Sequence, residues 1–167
     1  CSNRKDTWIN STLSNTYKLL YKAGHAQSIE VFESNKLVGG LFGININGAF
    51  FGESMYSNSP NASKVALKFL IERLNKCGYS LFDTQFISDH LITLGAIEIT
   101  QNSYLTRLDK ALKQEVKYAK HENDYVLSIP DKDNFVDNIK KCSKNHRFLC
   151  VPVYIGSSSC SSLAHMN

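Results

Sequence analysis

Between Thr7 and Ala23 the apolar positions Ile9, Leu13, Tyr17 and Leu20 recur every three to four residues, which predicts an amphipathic helix stopped by Gly24. The period then changes. Ser28 to Glu33, Leu37 to Ile46 and Ala49 to Met55 read as strands joined at Ser34-Asn35-Lys36 and at Asn47-Gly48. An Asn-Gly pair between apolar runs is a strong hairpin signal, so the three strands form an antiparallel meander. Gly39, Gly40 and Gly43 interrupt the middle strand, which predicts a bulge or a close approach of backbone or ligand.

Helical spacing returns after Ser59 and Pro60, with Ala62, Val65, Ala66, Phe69, Leu70 and Leu74 on one stripe and Gly78 as its stop. Tyr79 to Phe86 reads as a buried strand, Ser88 to Leu94 as a short helix ended by Gly95, and Ile97 to Ile99 as a short strand. A further helix is expected over Tyr104 to Ala119, with Leu105, Leu108, Ala111, Leu112 and Val116 in phase. Beyond it the pattern weakens. Asp133 to Lys141 suggests one more helix and Phe148 to Tyr154 one more strand, while the Ser-rich Gly156 to Asn167 has the composition of a disordered end. The order strand, strand, strand, helix, strand, helix, strand is that of a mixed α/β layer.

Composition narrows the classes. With 167 residues, 43% of them hydrophobic, the chain can bury one core of ordinary size. The net charge of +4 permits contact with a polyanion without announcing one, and 15 Lys against 4 Arg leaves few bidentate phosphate clamps. No apolar run reaches the ~18 residues of a membrane span, and no basic-then-apolar leader is visible. The five cysteines are an odd number with no Cys-x-x-Cys pair, as expected of reduced thiols in a cytoplasmic compartment, while the Lys- and Asn-rich composition is that of an AT-rich genome and leaves an organelle open as the alternative if the source is eukaryotic. Cys142, His146, Cys150 and Cys160 match no common zinc spacing, so no metal site is expected.

The candidate chemistry lies in two segments. Phe50-Phe51-Gly52-Glu53-Ser54-Met55-Tyr56-Ser57 and Leu81-Phe82-Asp83-Thr84-Gln85 place two carboxylates and an amide among apolar side chains at the ends of predicted strands. A carboxylate in an apolar setting shifts its pKa or finds a partner, so the three groups read as the lining of a site.

These segments also carry a resemblance. Val38-Gly39-Gly40-Leu41-Phe42-Gly43, then Gly52-Glu53-Ser54-Met55, Asn61-Ala62-Ser63-Lys64-Val65-Ala66-Leu67, Asp83-Thr84-Gln85, His90 and Leu94-Gly95-Ala96-Ile97-Glu98-Ile99 follow one another at the spacings of the leucyl/phenylalanyl-tRNA–protein transferase family. Thr7-Trp8-Ile9 and Gly24-His25-Ala26-Gln27-Ser28-Ile29-Glu30-Val31 fit the same pattern, so the resemblance covers Cys1 to Leu108. It implies a GNAT-like acyltransferase fold, a mixed and mostly antiparallel sheet flanked by helices, in which two central strands splay apart to hold the acyl donor. Residues 1–119 are then expected to form the catalytic domain and residues 120–167 an extension. The resemblance further implies a preceding N-terminal domain, so the chain is expected to be part of a longer protein.

The implied activity moves Leu, Phe or Met from the 3′ end of an aminoacyl-tRNA to the N-terminal Arg or Lys of an acceptor protein, marking it for degradation. No cofactor is implied. An aminoacyl ester is already activated, and an α-amine with a pKa of roughly 8 is about one-tenth neutral at pH 7, so positioning matters more than a strong base. The resemblance assigns the chemistry to Glu53, Asp83 and Gln85. Gln85 accepts a hydrogen bond from the attacking amine, Asp83 holds that amide, and Glu53 pairs with a cation of donor or acceptor. Leu41, Met55, Leu67, Leu70, Leu74 and Phe82, with Gly52 and Ser54, are expected to line the donor pocket, and Trp8 to stack on the terminal adenine. On periodicity alone Leu67, Leu70 and Leu74 are core positions, Trp8 a packing anchor, His90 a structural histidine and Lys64 a solvated lysine.

The chain departs from the family where Thr100-Gln101 replaces a Pro and a basic residue, and where Gln27 and Phe32 replace a common His and Trp. Three rival readings are an acyl-CoA N-acyltransferase, a peptidyl-bridge transferase of the cell wall, and a non-catalytic module that binds the charged tRNA end. The first needs a Gly-rich pyrophosphate turn, and Ser57 to Lys64 does not supply one. The second is not expected to carry Gly-Glu-Ser-Met together with Asp-x-Gln.

Overall fold

The structure is a computed structural model that describes residues 9–118 and the backbone of 149–152. Its elements are α1 (Ser11–Lys22), β1 (Ala26–Glu33), β2 (Lys36–Ile46), β3 (Ala49–Ser57), α2 (Ala62–Cys77), β4 (Leu81–Asp83), α3 (Asp89–Thr93), β5 (Ile97–Ile99), α4 (Gln101–Leu112) and β6 (Leu149–Pro152). The strands form one mixed sheet in the order β1-β2-β3-β4-β6-β5. The meander β1-β2-β3 is antiparallel over eight paired positions at each interface, whereas β3-β4, β4-β6 and β5-β6 are parallel and two or three positions long. The mixed α/β class expected from the element order is therefore observed, and it is compatible with a GNAT-like sheet. β6 draws the sheet across the boundary expected near residue 120, because it pairs with β4 on one side and β5 on the other. Expected structure over 133–141 and 156–167 lies outside the described residues.

Strand alternation sorts the side chains onto two faces. Ile29, Val31, Leu41, Phe50 and Phe82 pack with Val65, Leu67, Leu70, Ile71 and Leu74 of α2 in the main core. On the other face Ala49 and Leu81 are fully buried against Ala111 of α4, with Phe51, Tyr104 and Leu108 around them. Phe42, the neighbour of core residue Leu41, meets the Tyr17 ring of α1 edge-on at 5.0 Å. The sheet thus has α2 on one face and both α1 and α4 on the other.

Local chemistry explains where the observed elements depart from the sequence pattern. α1 begins at Ser11 rather than Thr7, because the Asn10 side chain accepts from the Leu13 amide and caps the helix there. α2 begins at Ala62, after Asn61 adopts a left-handed φ of 66°. The segment Tyr79–Phe86 is a strand only over Leu81–Asp83, since Gln85 has a φ of 64° that no strand can continue through. α4 starts at Gln101, where the Thr100 hydroxyl accepts from the Ser103 amide, and stops at Leu112. Its inward face carries Tyr104, Leu108 and Ala111, while Leu105 and Leu112, expected to be in phase, are exposed.

The glycines of β2 do what an interrupted strand suggests. A Cβ on Gly39 would lie 2.5 Å from that of Ala62, so its absence lets the first turn of α2 lie directly on the strand. Opposite Gly43 the register slips by one residue: Phe42 pairs with Ser54 and Gly43 with Gly52, leaving Glu53 as the extra residue of a β-bulge. No helix among the described residues is long and apolar enough to cross a membrane.

Candidate functional site

β3 and β4 run parallel only from Ala49/Leu81 to Phe51/Asp83. Beyond that point β4 ends and β3 continues to Ser57, so the two chains part, with Glu53 on one side and Gln85 on the other. The bulge decides the Glu53 direction, since an inserted residue re-aims its side chain away from the regular pleat.

Five residues form a continuous polar chain across this opening, linked at Gln85 through both its side chain and its backbone N–H. The Tyr17 hydroxyl donates to Glu53 Oε2 at 2.8 Å, and Gln85 Nε2 donates to Glu53 Oε1 at 3.2 Å. The Gln85 backbone N–H donates to Asp83 Oδ1 at 2.7 Å, and the Tyr104 hydroxyl donates to Asp83 Oδ2 at 2.6 Å. Both oxygens of each carboxylate therefore accept. Asp83 is only 5% exposed, which is tolerable because charge-assisted bonds replace its lost hydration. With its NH2 turned to Glu53, the Gln85 amide directs its carbonyl oxygen elsewhere, as an acceptor for another donor.

The Gln85 backbone is held in an unusual conformation. Its φ of 64° combines with a Phe86 N–H to Thr84 carbonyl bond of 2.7 Å, which makes Gln85 the centre of a three-residue γ-turn with positive φ. Such turns are rare and strained in residues that carry a Cβ, and strain of this kind clusters at functional sites. Phe86, the next residue, is 72% exposed.

Burial, together with the hydrogen bond to Glu53 and its charge, pushes the Tyr17 hydroxyl up to about 12. Tyr17 is therefore a permanent donor near neutral pH. It also forms a wall of a groove of about 480 Å³ between α1 and the edge of β1 and β2, where Tyr21, Ala26, Phe42 and the Lys18 and Lys22 side chains also face the opening.

The structure brings Glu53, Asp83 and Gln85 together, as their positions at strand ends suggest, but Glu53 and not Asp83 holds the Gln85 side-chain amide, because the turn aims the Gln85 backbone N–H at Asp83 and its side chain across the opening. Gly52 lies at the parting of the strands, where an added Cβ would come within 3.2 Å of the Phe82 ring. Ser54 is half-buried and Met55 is 38% exposed on β3. Leu41, Leu67, Leu70, Leu74 and Phe82 pack together in the main core. Trp8 lies outside the described residues. His90 stands on α3, its pKa lowered by burial and then by the Lys64 charge. Among the described residues no cluster of His, Cys, Asp or Glu could hold a metal ion, while Cys142, His146 and Cys160 lie outside them.

Sequence reasoning missed the hydroxyls of Tyr17 and Tyr104. Both were read only as helix positions, Tyr17 on an apolar stripe and Tyr104 as a first residue. The available signal was chemical: a tyrosine on a face that packs inward brings an O–H that needs a partner.

A sequence profile described as leucyl/phenylalanyl-tRNA protein transferase matches residues 1–109, which include all five members of the polar chain. The chain belongs to this family. It is 52% identical over 119 residues to the leucyl/phenylalanyl-tRNA–protein transferase of Cereibacter sphaeroides, covering 71% of this chain and 56% of that protein. The transferase of the same name from Rhizorhabdus wittichii is 53% identical over 111 residues, or 66% of this chain and 45% of that one. That of Ruegeria pomeroyi is 44% identical over 119 residues, or 71% and 57%. The chain thus spans about half the length of the curated transferases it matches.

Proposed function

We propose that this transferase-family chain carries the acyl-transfer centre of an aminoacyltransferase that moves Leu, Phe or Met from charged tRNA to the N-terminal Arg or Lys of a protein. The observation that carries this reading is the strained Gln85, locked by Asp83 on its backbone and by Glu53 on its amide, at the place where β3 and β4 part. Family membership supplies the donor class.

In the reaction the neutral amine of the acceptor attacks the ester carbonyl, a C–N bond forms, and the C–O bond to the ribose breaks. The amine gives up a proton and the ribose oxygen takes one. An amide is too weak a base to carry that proton, so Gln85 acts through orientation: its carbonyl oxygen accepts from the amine and aims the lone pair at the ester. Asp83 acts one step behind, holding the turn. Glu53 serves twice, fixing which end of the Gln85 amide faces the substrate and presenting negative charge to a cationic amine or to the acceptor's basic side chain. Positioning of this kind can supply several kcal/mol of the barrier.

The donor side chain enters beside Gly52, Ser54 and Met55 and reaches the apolar floor built from Leu41, Leu67, Leu70, Leu74 and Phe82. Trp8 provides a face for the terminal adenine. Because charged tRNA is found where translation occurs, the reaction belongs to the cytoplasm or to an organelle that translates.

The direct test is transfer of labelled Leu or Phe from charged tRNA to a peptide that starts with Arg. Transfer to Arg- and Lys-starting peptides and not to an Ala-starting one is the expected result. Binding of charged tRNA with no transfer to any peptide replaces this reading with that of a binding module. Val and Ile should be transferred less well than Leu because their branch at Cβ meets the wall of the slot, and Val, one methylene shorter, should lose only the ~1–3 kcal/mol that a methylene contributes in an apolar pocket.

A further inference from the structure

We infer that Tyr104 is a positioning residue for transfer, acting on the attacking amine through Asp83 and Gln85; the inference rests on the role proposed for Gln85. Asp83 has one oxygen on the Tyr104 hydroxyl, at 2.6 Å, and the other on the Gln85 N–H, at 2.7 Å. The side chain that fixes the strained turn is therefore itself fixed from α4. A carboxylate held at one oxygen only can rotate about its last torsion, which is broad and has no steep staggered wells. The second hydrogen bond removes that freedom. It keeps Oδ1 under the Gln85 amide, and so keeps Gln85 at its positive φ with its side chain turned toward Glu53.

The bland alternative is that Tyr104 merely docks α4 on the sheet. α4 and the turn that follows it have other anchors for that purpose. The Gly48 N–H donates to the Ala111 carbonyl at 3.0 Å, the Asn47 side chain donates to the Leu112 carbonyl, and the Ser80 hydroxyl donates to Gln114 Oε1 at 2.6 Å. Leu108 and Ala111 add apolar contact with Ala49 and Leu81, and the Tyr104 ring joins the same cluster. Replacing Tyr104 by Phe keeps the ring and every one of these anchors while deleting the hydroxyl alone.

The experiment uses the whole 167-residue chain, with Tyr104→Phe, Asp83→Asn and the double variant. Amide hydrogen exchange is read at Gln85 and at Leu41 in β2, and kcat and KM are read for transfer from charged tRNA. A hydrogen bond to a charged group is worth enough to change a local opening constant by roughly ten- to a hundredfold. Tyr104→Phe should therefore speed exchange at Gln85 by about tenfold or more, leave Leu41 as it was, and lower kcat without raising KM. The double variant should lose little beyond Asp83→Asn alone, because the inferred effect of the hydroxyl on Gln85 runs through that carboxylate. Unchanged exchange at Gln85, or equally faster exchange at both amides, overturns the inference. Loss of transfer in Asp83→Asn with full transfer in Tyr104→Phe also overturns it while leaving the role of Asp83 and Gln85 intact. Faster exchange at Gln85 with wild-type kcat in both single variants defeats that role, and the inference with it.

Discussion

The two faces of β3 and β4 make opposite use of the same strands. Toward α2, Phe50 and Phe82 meet edge-on at 5.6 Å and join a core of aliphatic side chains in which Leu67 and Leu70 are completely buried. Toward α1 and α4, the strands lead into Glu53 and Asp83, whose four oxygens accept from two tyrosines, an amide side chain and a backbone N–H. Residues one position apart in sequence thus belong to different economies of interaction. The apolar face gains from every buried atom, whereas the polar face gains only while all of its partners are in place. The first tolerates a defect in proportion to its size, and the second loses function to a small one.

Shortening a core side chain should give the largest effect on stability. Ile71→Ala, at a side chain 1% exposed in the main core and outside the donor pocket, is expected to cost ~2–5 kcal/mol, read as a lower midpoint in urea, with transfer by the molecules that remain folded little changed. If Ile71→Ala leaves stability intact but alters which donor is used, the pocket extends through this part of the core, and the contrast between the faces weakens. On the polar face the ranking should invert. Gln85→Ala is expected to slow transfer by about a hundredfold or more, comparable with loss of one preorganised hydrogen-bonding group in other acyl transfers, while the urea midpoint barely moves. Near wild-type turnover in that variant would remove Gln85 from the mechanism.

The turn allows a sharper version of the same contrast. At most positions glycine is less stable than alanine, but Gln85 holds a φ of 64° that a Cβ resists. Gln85→Gly should therefore be more stable than Gln85→Ala by ~1 kcal/mol, with both equally poor in transfer. The reverse order in urea unfolding would show that the turn stores no strain.

Much of this contrast was legible in the sequence, and the illegible part has a common physical cause. The juxtaposition of Glu53 and Gln85, 32 residues apart, is read from carboxylates set among apolar side chains and from the family pattern, whereas the hairpin at Asn47-Gly48 and the helix stops at Gly24 and Gly78, both at a φ of 83°, follow from short-range chemistry that residue types report directly. The early end of β4 does not, because the positive φ of Gln85 is imposed by Asp83 and by the parting of two strands. Nothing in the residue type announces it. The same holds for Tyr17 and Tyr104, whose partners lie 36 and 21 residues away. The phase of α4 was misread because Leu105 and Leu112 suggest a stripe, while the helix is docked through Tyr104, Leu108 and Ala111 instead.

Alkaline pH should weaken both faces together. In the folded chain Tyr17 and Tyr79 keep their protons up to about 12, against an ordinary 10.0, with burial as the first cause in each. As pH rises the unfolded chain releases these protons first, so their contribution is complete below pH 10.0 and is lost toward 12. Stability should fall across that window, and Tyr17→Phe should fall less steeply. Identical slopes for the variant and the wild type would mean that Tyr17 titrates as it does in the unfolded chain.

The smallest expected effect lies at the rim of the apolar face, where Lys64 of α2 approaches His90 of α3. Burial first and the Lys64 charge second hold the His90 pKa below its ordinary 6.5. The imidazole is thus neutral in the fold at pH values where part of the unfolded population has already taken a proton, and its contribution to stability is present above 6.5 and declines as pH falls. Removing the cation in Lys64→Ala should raise the His90 pKa partway toward 6.5, because burial, the larger cause, remains. The shift can be followed through the imidazole Hε1 resonance in an NMR titration. A return all the way to the ordinary value would make the lysine charge the dominant cause, and no movement at all would mean that solvent screens the pair completely. The first result would place His90 in water, the second would leave burial as the whole cause of the low pKa, and a partial shift marks where burial by α2 and α3 gives way to solvent.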